Sequence, residues 1–237
     1  MFSRRLTRSI ALGATAVAIG GGAYGILGAN AGNGTGTATT TTSPSTTAGQ
    51  PVPGGGGSNA RSGPAEGGTS GTVASVSKSG FTVSTSAGQT VTINKTSTTT
   101  YRKGTTATSA SAVKRGKNVL VVGMVNPTTK TITASQVVVK TTGGGAATTK
   151  VVPFQPGAPS TAKQVGQIPA NYTQGSGTIV SGTTANKATK AALASYSGGI
   201  VDRVVRLSNG EYEVHNIGVN WPHHIFVNKN FKVIGAN

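Results

Sequence analysis

From Gly71 onward the chain is cut into short runs in which apolar and small polar side chains alternate, and period two over four or five residues leaves the β-strand as the only regular element available. Thr72-Val73-Ala74-Ser75-Val76, Phe81-Thr82-Val83-Ser84 and Thr90-Val91-Thr92-Ile93 follow this pattern, separated by turns at Ser79-Gly80 and Ala87-Gly88. Such spacing predicts a meander. Thr98 to Arg102 reads as a further strand, Ser109 to Arg115 as one or two helical turns, and Asn118 to Val125 and Thr131 to Val139 as the most apolar strands. Five or six strands with one short helical interruption fit a small, partly open barrel better than a flat sheet with two bare edges.

The segments around this barrel are different in kind. Arg4, Arg5 and Arg8 precede an apolar stretch from Ile10 to Ala29, and Ala29-Asn30-Ala31 has the small-x-small spacing of a signal-peptidase site. Residues 1–31 therefore read either as a cleaved signal peptide or as an uncleaved membrane anchor with its arginines in the cytoplasm. Both readings export the rest, so the expected location is extracytoplasmic: secreted, or tethered to the cell membrane. Residues 32–70 and 141–182 are rich in Thr, Gly, Ser and Pro, with few large apolar side chains to offset the entropy of ordering, and both read as linkers.

The last 55 residues are richer in signals. Thr184 is placed to cap a helix through Ala188, Ala191, Ala192 and Leu193 to Tyr196, ended by Gly198-Gly199. Ile200–Leu207 and Tyr212–Ile217 flank Asn209-Gly210, a two-residue hairpin signal that predicts Leu207 opposite Tyr212 and Arg206 opposite an exposed Glu213, with Asp202 facing Ile217. Two more strands follow, Ile225–Asn228 and Phe231–Ile234.

Two resemblances rest on these residues. The stretch "GTVASVSKSGFTVSTSAGQTVTI", then "SAVKRGKNVLVVGMV" and "TITASQVVV", resembles the small OB-like β-barrel domains of unknown function in bacterial envelope proteins, over residues 71–140. The stretch "KAALASYSGGIVDRVVRLSNGEYEVHNIGVNWPHHIFVNKNFKVIGA" resembles the PepSY domain family, over about 183–237. That second resemblance implies an α+β unit, one helix on a four-stranded antiparallel sheet, found outside the cytoplasm and thought to bind or restrain peptidases. The expected fold class is thus two small modules on disordered linkers: an all-β OB-like barrel (71–140) and a PepSY-like α+β module (183–237).

Composition decides the class of function. There is no cysteine, and 21 Lys and Arg stand against four Asp and Glu, for a formal net charge of +17. With no thiol, no GxSxG elbow and only Asp202, Glu211 and Glu213 as acids outside the linker, no convergent nucleophile, base and orienter is recognised, so an enzyme is not expected and no catalytic residue or cofactor is assigned. His215, His223 and His224 are the only histidines, and three imidazoles are a set that zinc or copper accepts. Neighbours on a strand point to opposite faces, however, so His223 and His224 do not share one metal if both lie in a strand, and no metal ligand is assigned. With Trp221, the three histidines are expected to contact a partner, an envelope or secreted protein such as a peptidase. The barrel carries nine cations and no acid between residues 71 and 140. Arg102, Lys103, Lys114, Arg115 and Lys117 bracket the helical interruption and are expected to form one patch for an anionic cell-surface polymer or membrane surface. Nucleic acid is the less favoured ligand, because only Phe81 and Tyr101 offer rings for base stacking and export separates the chain from cytoplasmic DNA.

Overall fold

The computed structural model describes residues 63–141, 150–158 and 163–237. The segment read as signal or anchor (1–31) and most of the first linker lie outside the described residues, as do 142–149 and 159–162. Among the described residues no helix is long and apolar enough to cross a membrane.

The described residues form fifteen strands and one α-helix, in chain order β1 (Ala65–Val76), β2 (Gly80–Ser84), β3 (Thr90–Asn94), β4 (Thr100–Lys103), β5 (Thr106–Thr108), β6 (Asn118–Asn126), β7 (Thr131–Val139), β8 (Val152–Pro153), β9 (Val165–Gly166), β10 (Thr178–Ile179), α1 (Gly182–Ser195), β11 (Ile200–Arg206), β12 (Tyr212–Ile217), β13 (Val219–Trp221), β14 (His224–Val227) and β15 (Val233–Ala236). The expected barrel is present. β1, β2 and β3 form an antiparallel meander, β7 pairs parallel to β3, and β6 pairs antiparallel with both β7 and β1, which closes a five-stranded circuit. The inward positions of the alternating runs fill it: Val73, Phe81, Val83, Val91, Ile93, Val121, Ile132 and Val137 form one buried cluster. The helical interruption is a single 3-10 turn at Ala110–Ala112.

The C-terminal elements also form in the expected order, with β11, β12, β14 and β15 as consecutive antiparallel neighbours and α1 against one face. They do not form a separate module on a loose tether. β1 starts at Ala65, six residues inside the stretch read as linker, and its Gly68 and Thr69 pair with Val201 and Ile200 of β11, so one sheet runs from the barrel into the C-terminal strands. The Thr69 hydroxyl donates to the Gly199 carbonyl at 2.9 Å across this seam. Leu120 and Val122, outward-facing on the barrel, share a core with Ala185, Ala188, Ala192 and Leu193 of α1. The described residues all belong to one compact unit.

The second linker is likewise structured where it is described. β8 pairs with β13, β9 with β15 and β10 with β11, so the described parts of this segment lie along strands of the C-terminal half. Its Ile168, Tyr172 and Ile179 pack on Val205, Leu207 and Phe226, on the face of the sheet away from the helix core. That covering buries both faces of β11 and β12 and explains why their residues show no in-out alternation.

The hairpin register differs by one residue from the two-residue expectation. Arg206 is opposite Tyr212, Val205 opposite Glu213, Val204 opposite Val214 and Arg203 opposite His215. Only Gly210 has positive φ (83°), and its N–H donates to the Leu207 carbonyl at 2.9 Å while Leu207 N–H donates to Glu211. This is the three-residue loop with a glycine bulge, not the tight turn that needs both central residues left-handed. Asn209 instead uses its side-chain oxygen to accept from the Glu211 N–H at 2.9 Å. A further irregularity between Val201 and Arg203 takes Asp202 out of pairing, so it does not face Ile217.

Candidate functional site

Three neighbouring strands place the polar groups of the C-terminal half in rows. Arg203 on β11, His215 on β12 and His224 on β14 lie side by side, and two residues along the same face come Val205, Glu213 and Phe226. The one-residue shift in register is what brings Glu213 inside: it is 1% exposed, opposite Val205, rather than on the surface opposite Arg206.

Each buried carboxylate holds an imidazole. Asp202 Oδ1 lies 2.6 Å from His215 Nδ1, and its Oδ2 accepts from Arg203 Nη1 at 2.9 Å. Glu213 Oε1 lies 2.6 Å from His224 Nδ1 and accepts from the Tyr172 hydroxyl at 3.0 Å. A carboxylate only accepts, so both Nδ1 atoms carry hydrogen and donate to it. Tyr172 comes from the segment read as linker, and its ring meets Phe226 edge-on at 4.7 Å. Burial, followed by the charge and hydrogen bond of Glu213, raises the Tyr172 hydroxyl far above its ordinary value, so it stays a donor. Two atoms of the cluster have no partner: Glu213 Oε2 and Arg203 Nε.

The three imidazoles are mutual neighbours, with centroids 5.3 Å (His215–His223), 5.4 Å (His215–His224) and 5.8 Å (His223–His224) apart. His223 precedes β14 rather than lying in it, so the opposite-face expectation for residues within a strand does not govern it. Partial burial, then the adjacent His215 and His224, lower the pKa of His223, opposed by a hydrogen bond to the Val219 backbone and by Asp202. Among the described residues no group of three or more His, Cys, Asp or Glu side chains is arranged to hold a metal ion.

His223 and His224 open onto a cavity of about 610 Å³ between the C-terminal sheet and the segment that crosses it. Phe154, Ile168 and Val219 supply apolar wall, and Lys163, Gln164, Asn220 and Asn237 supply polar groups. Phe154 is 59% exposed, a large apolar side chain left in water at the rim. Trp221, expected at the surface, belongs to the interior instead: it is 1% exposed, its ring packs edge-on to Tyr196 at 5.4 Å, and its Nε1 donates to the Lys163 carbonyl at 2.6 Å. The Lys163 ammonium lies 4.8 Å from the Trp221 ring centroid. His215 is similarly interior, so of the four residues expected to contact a partner only His223 and His224 reach the cavity.

The five cations expected to form a patch are all exposed and lie toward one end of the barrel. Lys103 is opposite Val139, the last residue of β7; the next residue, Lys140, donates its N–H to the Asn118 carbonyl at the start of β6; and the Lys117 carbonyl accepts from Val73. Lys114 and Arg115 occupy the loop leading into Lys117. Glu66, the one carboxylate on the described barrel strands, pairs with Met124 near the opposite end of β6. Lys190 of α1 adds to this side, its ammonium on Gln136 Oε1, and burial and the nearby Arg102 lower its pKa.

Residue reasoning missed Phe154, Lys163, Ile168 and Tyr172, all within the second linker. For Phe154, Ile168 and Tyr172 the signal was present in outline, because Val151-Val152-Pro153-Phe154 and Ile168 to Tyr172 are among the places where that stretch carries large apolar side chains. Compared with protein-family models, curated proteins and solved structures, the chain matches none of them.

Proposed function

We propose that the chain is a non-enzymatic binding protein of the cell envelope, exported by its N-terminal segment and engaging a partner at the cavity beside His223 and His224. The observation that carries this reading is the cavity itself. Its described lining combines exposed apolar surface with hydrogen-bonding groups that converge on one space, and it includes no Ser, Thr or acidic side chain to act as nucleophile or catalytic acid. In the nearby cluster Asp202 is engaged by His215 and Arg203, and one oxygen of Glu213 by His224 and Tyr172. They serve to hold the imidazoles in place.

The finer reading is that the C-terminal half is PepSY-like and that its partner is a secreted peptidase. It rests on the residue resemblance over 183–237 and on the helix, hairpin and strand pair that follow in the order that resemblance implies. The test is retention of envelope and secreted proteins on the immobilised full chain, compared with a Phe154→Ser, His223→Ala variant. A protein retained by the first and lost by the second supports the reading, and peptidase activity that falls on adding the chain supports the finer one. Equal retention by both chains, or fractionation of the mature chain to the cytoplasm, overturns it.

A second reading is favoured by the gathering of Arg102, Lys103, Lys114, Arg115 and Lys117 toward one barrel end, away from Glu66. We propose this end as a contact for an anionic cell-surface polymer or membrane surface. Binding to an immobilised polyanion should fall linearly in log-log form with salt. Charge reversal at Lys114, Arg115 and Lys117 should flatten that slope, and an unchanged slope removes the patch.

A further inference from the structure

A second space, of about 390 Å³, lies on the outer face of the barrel where its strand ends meet the chain just beyond α1. Its position follows from the register. Ser84 of β2 and Asn118 of β6 both pair with Thr72 of β1, and Lys140, the residue after β7, donates its N–H to the Asn118 carbonyl at 2.8 Å. Ser84, Thr72, Asn118 and Lys140 therefore stand in one row across four strands. Their chain neighbours Val83, Val73, Val119 and Val139 fill the barrel core, and strand alternation turns the row itself outward. Ser70, two residues back along β1, lines the same space and is 2% exposed. Every polar side chain in the described lining carries a hydrogen to donate. Lys140 Nζ lies 3.5 Å from Ser70 Oγ and makes no ion pair among the described residues, and burial lowers its pKa below the ordinary lysine value. The Thr72 hydroxyl donates to Asn118 Oδ1 at 2.8 Å, which leaves the Asn118 amide nitrogen to donate elsewhere, and at the rim the Ser197 carbonyl accepts from the Ser86 hydroxyl at 3.0 Å. The four carboxylate side chains of the chain are all placed away from this space. Glu66 is opposite Met124 near the far end of β6, Asp202 and Glu213 hold their histidines, and Glu211 accepts from Asn209 at 2.7 Å. The main-chain oxygen of Asn237 accepts from His223 and His224 in the C-terminal half.

We propose that this space receives one phosphate group of a phosphate-bearing polymer, its oxygens accepting from the Lys140 ammonium, the Ser70 and Ser84 hydroxyls and the Asn118 amide, while the polymer on either side runs over the basic barrel end. This inference deepens the reading of that end as a contact for an anionic polymer and rests on it. Lys103 pairs with Val139 and Lys117 precedes Asn118, so the patch begins one position from the row. The donors suit phosphate better than carboxylate. A tetrahedral oxyanion offers acceptors in several directions, which fits single hydroxyl and amide donors around a point-charge ammonium, whereas a planar carboxylate is best met by the paired donors of an arginine, and the described lining holds none. They also favour a polymer over a membrane, because the described lining has no large apolar side chain to enter a lipid layer.

The experiment titrates the full chain calorimetrically with polyphosphate, with polyglutamate of equal total charge, and with vesicles containing phosphatidylglycerol, each variant being checked for native Trp221 fluorescence. Polyphosphate is expected to bind roughly tenfold more tightly than polyglutamate. Lys140→Gln should remove most of that preference. The double variant Ser84→Ala, Asn118→Ala deletes donors without altering charge, and should weaken polyphosphate roughly threefold while leaving polyglutamate unchanged. Lys229→Gln, an equal loss of charge on an exposed turn of the C-terminal half, should leave the preference intact. Equal polyphosphate affinity in the Lys140→Gln and Lys229→Gln chains, or vesicles bound in preference to both polymers, overturns the proposal. A salt slope that flattens on charge reversal at Lys114, Arg115 and Lys117, with no effect of the Ser84, Asn118 and Lys140 substitutions, overturns this inference alone. A slope unchanged by that reversal overturns the patch reading beneath it.

Discussion

At the scale of single residues, the informative groups are the buried acids. Glu213 is 1% exposed with one oxygen engaged by His224 and Tyr172 and the other without a partner. Removing it strands an imidazole and a phenol in the interior, so Glu213→Ala should cost about 3–5 kcal/mol in urea unfolding, while Tyr172→Phe, which deletes the hydroxyl's contacts to Glu213 and His224 but leaves that pair intact, should cost about 1 kcal/mol. His223 sets a pH dependence of definite sign. Its folded pKa is depressed below the unfolded value, so its contribution to stability is present above about pH 6.5 and is lost as pH falls through the folded value. The midpoint of thermal unfolding should therefore hold between pH 8 and 7 and decline below 6.5, with His223→Gln removing part of that decline. A decline unchanged by the substitution assigns the effect to other groups.

At the scale of elements, β1 shows why composition misled. Ala65-Glu66-Gly67-Gly68-Thr69-Ser70-Gly71 has the look of a linker because its side chains are small, yet it forms the strand shared by the barrel and the C-terminal sheet. Small residues are required there by close approach. A Cβ on Gly67 would fall on the Val201 carbonyl, and one on Gly68 would fall on the Val121 carbonyl and press Thr189 of α1. Gly67→Ala should destabilise by about 1–3 kcal/mol, the range for overpacking a well-fitted interior, as read from the chemical denaturation midpoint. The hairpin carries the opposite lesson. Asn209-Gly210 correctly marked a turn, but dipeptide statistics do not distinguish a two-residue from a three-residue loop, and the difference of one residue decides whether Glu213 is solvated or buried.

At the scale of the whole molecule, the two expected modules share a strand, a helix-packed core and a crossing segment. Leu120 and Val122 belong to the barrel strand β6 but pack with α1, and Ile200 of β11 packs with the barrel core. Neither half covers its apolar surface without the other. The described part of the chain should unfold in a single cooperative transition, with Trp221 fluorescence, reporting the C-terminal half, and far-ultraviolet dichroism, dominated by the strands of both, giving coincident curves. Two separated transitions would return the protein to two independent units.

The sequence by itself determined the local elements: the barrel strands, the position of α1, the hairpin and the closing strand pair all follow from periodicity and turn residues that act over a few positions. It also determined the class of chemistry within reach, since the absence of cysteine and the four acids are facts of composition. Only the tertiary structure decided which neighbours those elements have. The pairing of β1 with β11, the burial of Asp202 and Glu213 behind His215 and His224, and the cavity lined by Phe154, Lys163 and Ile168 depend on contacts between distant segments, more than 100 positions apart in the case of β1 and β11. A small-residue run looks the same in sequence whether it is solvated or squeezed between two backbones, because what differs is the surface that meets it.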